Sequence, residues 1–297
     1  MDLYKNFDFK KANELIDLAL KEDLGKGDIT SELLIPSAQN SKAELLVKEN
    51  GIAAGLKIFQ MVFNAIDKID KKDKKNKITN IKFYINEGDR VSIGEKIALI
   101  SGNTRNILLG ERTGLNILQR MCGIASFTNE LKKTLNNKSI KIIDTRKTTP
   151  NFRLFEKLAV KIGGGDNHRF GLYDMVLIKD NHIEANGGIA NTLNKLSQKK
   201  KHPGMKVEIE VKDLKELEEV LMNGRKIIDR VMLDNFEISD VRKAISLNRK
   251  IFELELSGGI DENNIKHYSK LKGVDFISIG SLTHSAGSMD ISLNFVT

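Results

Sequence analysis

Residues 230–281 are RVMLDNFEISDVRKAISLNRKIFELELSGGIDENNIKHYSKLKGVDFISIGS. Within this stretch, short leucine-rich or β-branched segments (RVML, IFELEL and FISI) alternate with polar turns and with stretches long enough for a helix. Three earlier segments of the same kind, IKII, MVLI and KVEIEV, begin at residue 140. This alternation is typical of parallel β/α structure, in which a helix leads from each strand to the next. The second half of the chain is therefore predicted to be a parallel β/α unit with six strands.

Polar residues and glycines follow these six segments. They are Asp144 to Lys147, Lys179 with Asp180, Glu210, Asp234 with Asn235, Ser257 to Gly259, and Gly280 with Ser281. In a β/α barrel, the carboxyl ends of the strands meet on one face, where active sites are built. An open doubly wound sheet would spread the same residues along a crevice. The pattern favours a barrel with one pocket and leaves the open sheet as an alternative.

Two glycine motifs, LSGGI at 256–260 and SIGSLTHS at 278–285, follow the last two strands. Such turns expose backbone N–H groups, and in β/α barrels a phosphate site often lies at the final strands. One glycine turn alone would be an ordinary chain reversal, but two on consecutive strands indicate a phosphate-binding site. The candidate residues are Ser257, Gly258, Gly259, Gly280 and Ser281.

Cationic side chains are concentrated between residues 144 and 182. They are Arg146, Lys147, His168, Arg169 and Lys179, and they stand near Pro150 and the glycines of 163–165. Proline and glycine constrain backbone shape, which a solvated charged surface would not need. The cluster predicts a pocket for a substrate with several negative charges. The alternative is a salt-bridged structural turn.

Glu210 and Asp234 place two carboxylates on neighbouring strand ends. Mg²⁺ commonly uses one or two carboxylates together with waters and substrate oxygens, so it fits between them. Alternatively, each carboxylate balances a lysine of the pocket. Glu208, two residues earlier, is expected on the other side of its strand.

Composition limits the possible functions. The chain has 297 residues, 40% of them hydrophobic, and a formal net charge of +8. Much of the excess charge lies in the runs at 66–77 and 198–202, which are predicted to be solvated connections, while aromatic residues make up 6% and tryptophan is absent. Because stacking aromatics are scarce, nucleic-acid binding is not expected. No apolar run approaches the roughly 20 residues that cross a bilayer. We therefore expect a soluble cytoplasmic protein without nucleic-acid or membrane partners, in which the single cysteine, Cys122, is a core residue.

The first half predicts a small α+β unit. An amphipathic helix presents Leu15, Ile16, Leu18, Ala19 and Leu20, and short strands such as AELLVKE and IKFYI follow. Gly88 and Gly94 indicate turns. A long helix over about 104–135, broken near Gly123, comes next, with Arg112 on its exposed side.

Several motifs resemble those of the quinolinate phosphoribosyltransferase family, also called carboxylating nicotinate-nucleotide pyrophosphorylase. DTRKTTP, GGGDNHRFGLYDMVLIKDNH, EIEV, MLDNF, LSGGI and FISIGSLTHS occur in this order, and EDLGKGDIT and GERTGLNILQRMCGIAS match the family's N-terminal signatures. The resemblance covers nearly the whole chain. It implies an N-terminal α/β sandwich at 1–111, rejoined by 287–297, and an incomplete parallel α/β barrel at 112–286.

The resemblance also implies a reaction and its site. The family joins quinolinate to phosphoribosyl pyrophosphate (PRPP) and releases nicotinate mononucleotide, carbon dioxide and pyrophosphate, a step of de novo NAD biosynthesis. Its pattern assigns quinolinate contacts to Arg146, His168, Arg169 and Lys179, and PRPP contacts to Lys147 and the glycine turns. Glu210 and Asp234 match acidic residues near the ribose and the metal, here Mg²⁺. The residues expected to carry the reaction are Arg146, Lys147, Arg169, Lys179, Glu210 and Asp234.

In the family, the arginine that corresponds to Arg112 reaches the site of the partner subunit. A homodimer is therefore expected, and a higher oligomer is possible. Two other functions stay open at this point. One is a ModD-like pyrophosphorylase relative, which the intact NHR and LIKDNH motifs disfavour. The other is a noncatalytic phosphosugar-binding scaffold, which would give the two arginines, Lys179 and the paired carboxylates no role.

Overall fold

The structure, a computed structural model, describes residues 3–69, 79–199 and 204–296. The described helices are α1 (Phe9–Leu24), α2 (Ile29–Leu34), α3 (Leu56–Ile69), α4 (Thr104–Leu135), α5 (Arg153–Ile162), α6 (Asp180–Ala185), α7 (Ile189–Ser197), α8 (Leu214–Asn223), α9 (Ile238–Asn248) and α10 (Ser281–His284), with a 3₁₀ helix at Ile265–Tyr268. The described strands are β1 (Asn40–Val47), β2 (Gly51–Ile52), β3 (Asn80–Phe83), β4 (Arg90–Val91), β5 (Lys96–Asn103), β6 (Lys141–Ile143), β7 (Val176–Ile178), β8 (Val207–Val211), β9 (Arg230–Asp234), β10 (Glu253–Ser257), β11 (Phe276–Ser278) and β12 (Ile291–Val296).

The chain forms two compact units. The first comprises Met1–Asn129, Thr148–Gly164 and Leu282–Thr297, and the second comprises Glu130–Lys147 and Gly165–Ser281. The domain boundary predicted between residues 111 and 112 stays a prediction.

The first unit contains an antiparallel sheet in the order β12-β1-β5-β3. The C-terminal strand β12 lies beside β1, with Leu45 opposite Leu293. Helix α3 contributes Phe59 and Phe63 to the core over this sheet, and α4 contributes Cys122. Burial raises the pKa of the Cys122 thiol to about 12, which agrees with the predicted core role.

Helix α1 buries a narrower face than the sequence predicted. Ala12, Ile16 and Leu20 are buried, at a spacing of four residues that places them on one side of the helix. Leu18 was predicted to join this stripe, but its side chain is 61% exposed. Its position, two residues from Ile16 and from Leu20, points it away from the buried side.

Helix α4 is continuous, so the predicted break near Gly123 is wrong. A Cβ at this position would lie 2.0 Å from the backbone carbonyl oxygen of Gly287. The glycine therefore allows another chain segment to pack directly against the helix backbone. Close packing explains why position 123 is a glycine. The long helix α4 tolerates one glycine in its interior, because a glycine there costs only about 1 kcal/mol relative to alanine.

The second unit is an incomplete parallel barrel. Its six strands are those predicted, and their order is β6-β11-β10-β9-β8-β7. The first strand, β6, pairs in parallel with the last, β11, so the sheet curls round to bring chain-distant strands together. Among the described residues β6 and β7 are the two edges, which leaves the barrel open between them. This order excludes the doubly wound alternative, in which the first strand would lie inside the sheet with later strands on both sides.

The two basic runs that were predicted to be solvated connections are only partly covered by the described residues. Of the basic run 66–77, residues 66–69 form the end of α3, and of the run 198–202, only residues 198 and 199 are described. The rest of both runs lies outside the described residues. No helix in the described part of the chain has the length and apolar character needed to span a membrane.

Candidate active site

Three of the predicted site residues lie side by side at the carboxyl ends of β7, β8 and β9. Lys179 Nζ is 3.5 Å from Glu210 Oε2. Burial raises the pKa of Glu210, Lys179 opposes this rise, and the negative charge of Asp234 adds to it. The two carboxylates therefore repel one another while a lysine partly neutralises one of them. Such a pair can hold a cation, because a bound cation removes the repulsion.

Two arginines lie close together in the segments between β6 and β7. Burial lowers the pKa of the Arg169 guanidinium, and the positive charge of Arg146 lowers it further. The Arg169 side chain donates to the carbonyl oxygen of Met175 at 3.3 Å. Two guanidinium groups brought together, of which that of Arg169 is partly buried, form a site that favours an anion, especially a planar carboxylate.

Lys147 is exposed in the segment that follows β6. Its backbone N–H donates to Thr145 Oγ1 at 3.0 Å, so the turn that carries it is held locally. Its contact with PRPP stays a prediction.

The two glycine motifs form turns at the ends of β10 and β11. Gly258 and Gly259 have φ values of 94° and 60°, which favour glycine. The carbonyl oxygen of Gly259 accepts a hydrogen bond from Asn264 Nδ2 at 2.6 Å, which fixes the turn. Gly280 precedes Ser281, whose buried Oγ has no hydrogen-bond partner among the described residues. An acceptor such as a phosphate oxygen would satisfy that hydroxyl.

His168 lies differently from the other predicted quinolinate residues. Its side chain is 6% exposed, and Nε2 lies 3.0 Å from Glu208 Oε2 and 3.6 Å from Glu255 Oε1. The ring is thus turned towards buried carboxylates. This orientation favours a role in holding the loop, and direct contact of His168 with the substrate stays a prediction.

Glu208 was expected on the opposite side of its strand from Glu210, and this expectation is wrong. Side chains two residues apart in a strand share a face, because successive residues alternate. Glu208 lies on the same face of β8 as Glu210, two residues farther from the carboxyl end of the strand, and it is fully buried. Burial raises its pKa to about 7.

A buried ionic layer below the site was missed by sequence reasoning. Arg230 Nη1 donates to Glu255 Oε2 at 2.9 Å, and its guanidinium lies 3.7 Å from the centre of the Phe276 ring. Burial raises the pKa of Glu255 to about 7, and the charge of Glu208 contributes to the rise. The signal was present in the alternation of acids with apolar residues in VEIEV and ELELS, because this pattern places acids on one face of two buried strands.

Asp144 was recognised as a strand-end residue but was given no role. It is fully buried, and its Oδ1 accepts the backbone N–H of His168 at 2.9 Å while its Oδ2 accepts Asn167 Nδ2 at 2.6 Å. The end of β6 therefore anchors the segment that carries His168 and Arg169.

Arg112 belongs to the first unit, whereas the other predicted site residues all belong to the second. It is exposed on α4 and lines a surface cavity of about 540 Å³ together with Glu22, Asn116, Arg120 and Phe152. Its predicted role in another subunit is not tested by this position.

Comparison with known proteins decides the family. Residues 28–122 match the family model described as quinolinate phosphoribosyl transferase, N-terminal domain, and residues 124–294 match its C-terminal domain. The chain belongs to the quinolinate phosphoribosyltransferase family. The two matches together span most of the chain, in the order that the sequence motifs predicted.

Relatives in this family share more than a third of the residues. The chain is 38% identical over 299 residues to quinolinate phosphoribosyltransferase [decarboxylating] 2, mitochondrial, of Nicotiana glauca. This alignment covers 96% of this chain and 82% of that protein. The chain is also 39% identical over 281 residues to the probable nicotinate-nucleotide pyrophosphorylase [carboxylating] of Bacillus subtilis, and the alignment covers 95% of this chain and 92% of that protein.

Solved structures of the family have the same fold. NadC from Streptococcus pyogenes matches with a TM-score of 0.87 and 36% identity, covering 98% of this chain and 99% of that one. The nicotinate-nucleotide pyrophosphorylase from Francisella tularensis matches with a TM-score of 0.87 and 36% identity over the full length of both chains. The predicted fold class, an α/β sandwich with an incomplete α/β barrel, is confirmed.

Proposed function

We propose that this protein is a quinolinate phosphoribosyltransferase that joins quinolinate to PRPP in NAD biosynthesis. Within the family, the observation that carries this proposal is the proximity of Arg146 to Arg169, because the positive charge of Arg146 lowers the pKa of the Arg169 guanidinium. Quinolinate carries two carboxylates on a rigid ring, and its binding would relieve that repulsion. Lysine would not replace either arginine, because a planar fork of N–H donors is needed for two-point contact with a carboxylate.

The reaction needs little covalent chemistry from the protein. The ring nitrogen of quinolinate attacks the anomeric carbon of PRPP as the bond from that carbon to pyrophosphate breaks. Because the nitrogen has no proton to lose, no general base is required. The protein's contribution is to align the two substrates and to stabilise their charges.

Loss of carbon dioxide follows from the first step. Alkylation makes the ring nitrogen positive, so it stabilises the electron pair left on the adjacent carbon when the carboxylate leaves as carbon dioxide. That carbon then takes up a proton, which gives nicotinate mononucleotide. Arg146, Arg169 and Lys179 orient the dicarboxylate, and His168 is proposed to lie near it.

The PRPP end of the site is assigned to Lys147 and the two glycine turns. Ser257, Gly258, Gly259, Gly280 and Ser281 are proposed to hold the 5′-phosphate. Support comes from the positive φ values of Gly258 and Gly259 and from the unsatisfied buried hydroxyl of Ser281.

Glu210 and Asp234 are proposed to hold Mg²⁺, partly through water and PRPP. The raised pKa of Glu210, to which Asp234 contributes, supports a cation between them. When bound, Mg²⁺ would supply positive charge to the departing pyrophosphate.

A homodimer is proposed in which Arg112 reaches the partner's site. Its exposure is consistent with such a role, and α2 exposes Ile29, Leu33 and Leu34 by 73%, 78% and 72%. Contiguous apolar side chains of this size are unusual on a surface that faces only water. A cytoplasmic location and further assembly of dimers also stay predictions.

The dimer proposal can be tested by mixing two inactive variants, Arg112→Ala and Arg169→Ala, after refolding them together. A mixed dimer has one site that combines an intact Arg169 with the partner's intact Arg112. About one quarter of wild-type activity is expected, because half of the dimers are mixed and each has one complete site of two. No recovery of activity in demonstrably mixed dimers would contradict the role in the partner's site.

The proposed reaction is tested with the purified protein, quinolinate, PRPP and Mg²⁺. Nicotinate mononucleotide is followed by mass, and nicotinate replaces quinolinate as the control. Product from quinolinate alone supports both the transfer and the selectivity for a dicarboxylate. A folded protein that binds PRPP without forming product would favour the ModD-like or scaffold functions.

A further inference from the structure

The segment that carries Arg169 is not part of a strand or helix, so other contacts must hold it in place. On one side, Asp144 accepts the backbone N–H of His168 at 2.9 Å. On the other side, Asp174 Oδ1 accepts the N–H of Gly171 at 2.8 Å. Between these anchors, the backbone N–H of Arg169 itself donates to His168 Nδ1 at 2.7 Å. The position of the Arg169 backbone therefore depends on the orientation of the His168 ring.

The contacts of His168 determine which ring nitrogen carries the proton. Nδ1 accepts a hydrogen bond from Arg169, so it is unprotonated and the proton of the neutral ring is on Nε2. Nε2 lies 3.0 Å from Glu208 Oε2, within ion-pair distance, whereas Glu255 Oε1 is farther away at 3.6 Å. Glu208 is thus the nearer of the two carboxylates to this nitrogen.

The ring connects two parts of the barrel that are far apart in sequence. Glu208 lies on β8, and Arg169 lies in the segment before β7. A strand is more rigid than a loop, because its backbone is held by ladder hydrogen bonds on both sides. The contact between His168 and Glu208 therefore restrains the position of the loop relative to the sheet.

We propose that Glu208 is a positioning residue for quinolinate binding: it fixes the ring of His168, and the ring fixes the backbone from which Arg169 reaches the substrate. The inference rests on the proposed role of Arg169. Glu208 itself is fully buried and touches no substrate in this account.

A metal ion is the competing occupant of the cluster, because the ligand atoms of His168, Glu208 and Glu255 lie within 4.8 Å of one another. The charges argue against it. Arg230 Nη1 already lies 2.9 Å from Glu255 Oε2 and balances one of the two carboxylates. A divalent cation would leave an excess positive charge in a buried layer beside Arg230 and close to Arg169, which is costly.

The experiment compares two substitutions of Glu208. Glu208→Gln keeps an oxygen at the same distance for His168 Nε2, whereas Glu208→Leu has similar volume and no acceptor. We expect Glu208→Leu to raise the KM for quinolinate roughly ten- to a hundredfold and to leave the KM for PRPP within about twofold, because misplacement of a positioning group by about 1 Å has effects of this size. Glu208→Gln is expected to recover most of the affinity for quinolinate.

Glu253→Gln is the matched control. Glu253 is on the next strand but one and pairs with Arg230 and Lys206, so the variant disturbs the ionic layer without touching His168. It should leave the KM for quinolinate unchanged. If Glu208→Leu does not fold, Glu208→Asp replaces it, since the shorter side chain withdraws the carboxylate from Nε2 and keeps its charge.

Three results would overturn the inference. One is an unchanged KM for quinolinate in Glu208→Leu or Glu208→Asp. Another is an equal loss for quinolinate and PRPP together with a lowered Tm, which would indicate a packing role. The third is one equivalent of tightly bound transition metal in the wild-type protein that disappears in Glu208→Gln. Absence of product from the wild-type protein would instead contradict the proposed function, so the two failures can be distinguished.

Discussion

Gly258 and Asn235 approach one another so closely that no side chain fits at position 258. A Cβ there would lie 2.1 Å from Asn235 Oδ1 and 2.9 Å from the Asn235 backbone nitrogen. Rotation of the asparagine side chain would relieve the first contact but not the second. Asn235 directly follows Asp234, and its backbone N–H donates to the carbonyl oxygen of Ser257 at 2.9 Å. The proposed metal ligand and the proposed phosphate turn are therefore packed against each other.

Gly258→Ala should raise the KM for PRPP strongly, by roughly tenfold or more, because a 1 Å displacement in a binding site has effects of this order. The variant also requires alanine at a φ of 94°, which destabilises the turn. Gly94→Ala is the matched control, since Gly94 lies outside the proposed site, its φ is 84° and a Cβ there would meet no atom within 4 Å. Steady-state kinetics and thermal unfolding of both variants test this. Equal KM values for PRPP in the two variants would show that the close approach at 258 has no role in binding.

Arg169→Lys should reduce kcat/KM for quinolinate by about a hundredfold with little change in Tm. Lysine keeps the positive charge but loses the planar pair of donors, and charge-assisted two-point contacts contribute about 1.5–3 kcal/mol each. Arg242→Lys, on the exposed side of α9, makes the same chemical change outside the site. Kinetics and thermal unfolding of both variants provide the measurement. Wild-type turnover in Arg169→Lys would remove the proposed role of Arg169.

The strand pattern of the second unit was predictable because it is local. Each of the six segments is short and apolar and ends in a polar turn, and period and turn chemistry depend only on neighbouring residues. Once a barrel is assumed, its geometry brings Lys179, Glu210 and Asp234 together. These predictions needed no knowledge of specific long-range contacts.

The errors concern contacts between residues that are far apart in the chain. The glycine at 123 was taken for a helix break because its reason, the carbonyl oxygen of Gly287, lies more than a hundred residues away. The inward orientation of His168 depends on Glu208 and Glu255, on two later strands. Glu208 is a different case, because its face follows from the alternation of the strand and was assigned incorrectly.

Glu255→Gln should change how stability depends on pH. Burial raises the pKa of Glu255 from an ordinary value of 4.5 to about 7. Between these pH values the folded protein holds a proton that the unfolded chain has lost, so the free energy of unfolding falls as pH rises and levels off above about 7. The glutamine needs no proton, so the variant should lose the part of this dependence that Glu255 contributes and keep the part that belongs to Glu208, whose pKa burial also raises to about 7. Urea unfolding at pH 5, 6, 7 and 8 gives the free energy of unfolding of both proteins. The difference between wild type and variant should change across this pH range by an amount on the order of 1–3 kcal/mol.

Glu253→Gln is the control for this pH dependence. Lys206 and Arg230 lower the pKa of Glu253, although burial opposes them. A carboxyl group whose pKa is lowered by folding adds stability at pH values above its pKa in the unfolded chain, and this stability is lost as pH falls below that value. The contribution of Glu253 therefore changes only below about pH 5. The curves for Glu253→Gln and wild type should therefore run parallel from pH 5 to 8. A parallel curve for Glu255→Gln as well would mean that Glu255 is ionised in the folded protein throughout this range.

Asp234→Asn should weaken the response to Mg²⁺. The substitution removes one of two carboxylates at the proposed cation site and keeps an oxygen, and the loss of one charged ligand is expected to raise the half-saturating Mg²⁺ concentration by about tenfold. Binding of PRPP measured by calorimetry with and without Mg²⁺ tests the site independently of turnover. Asp229→Asn makes the same change at the opposite end of β9, where the carboxylate accepts the N–H of Val207 at 2.7 Å. If the Mg²⁺ dependence of PRPP binding is the same in Asp234→Asn as in wild type, Asp234 does not hold the metal, and Glu210 is then better explained as the partner of Lys179.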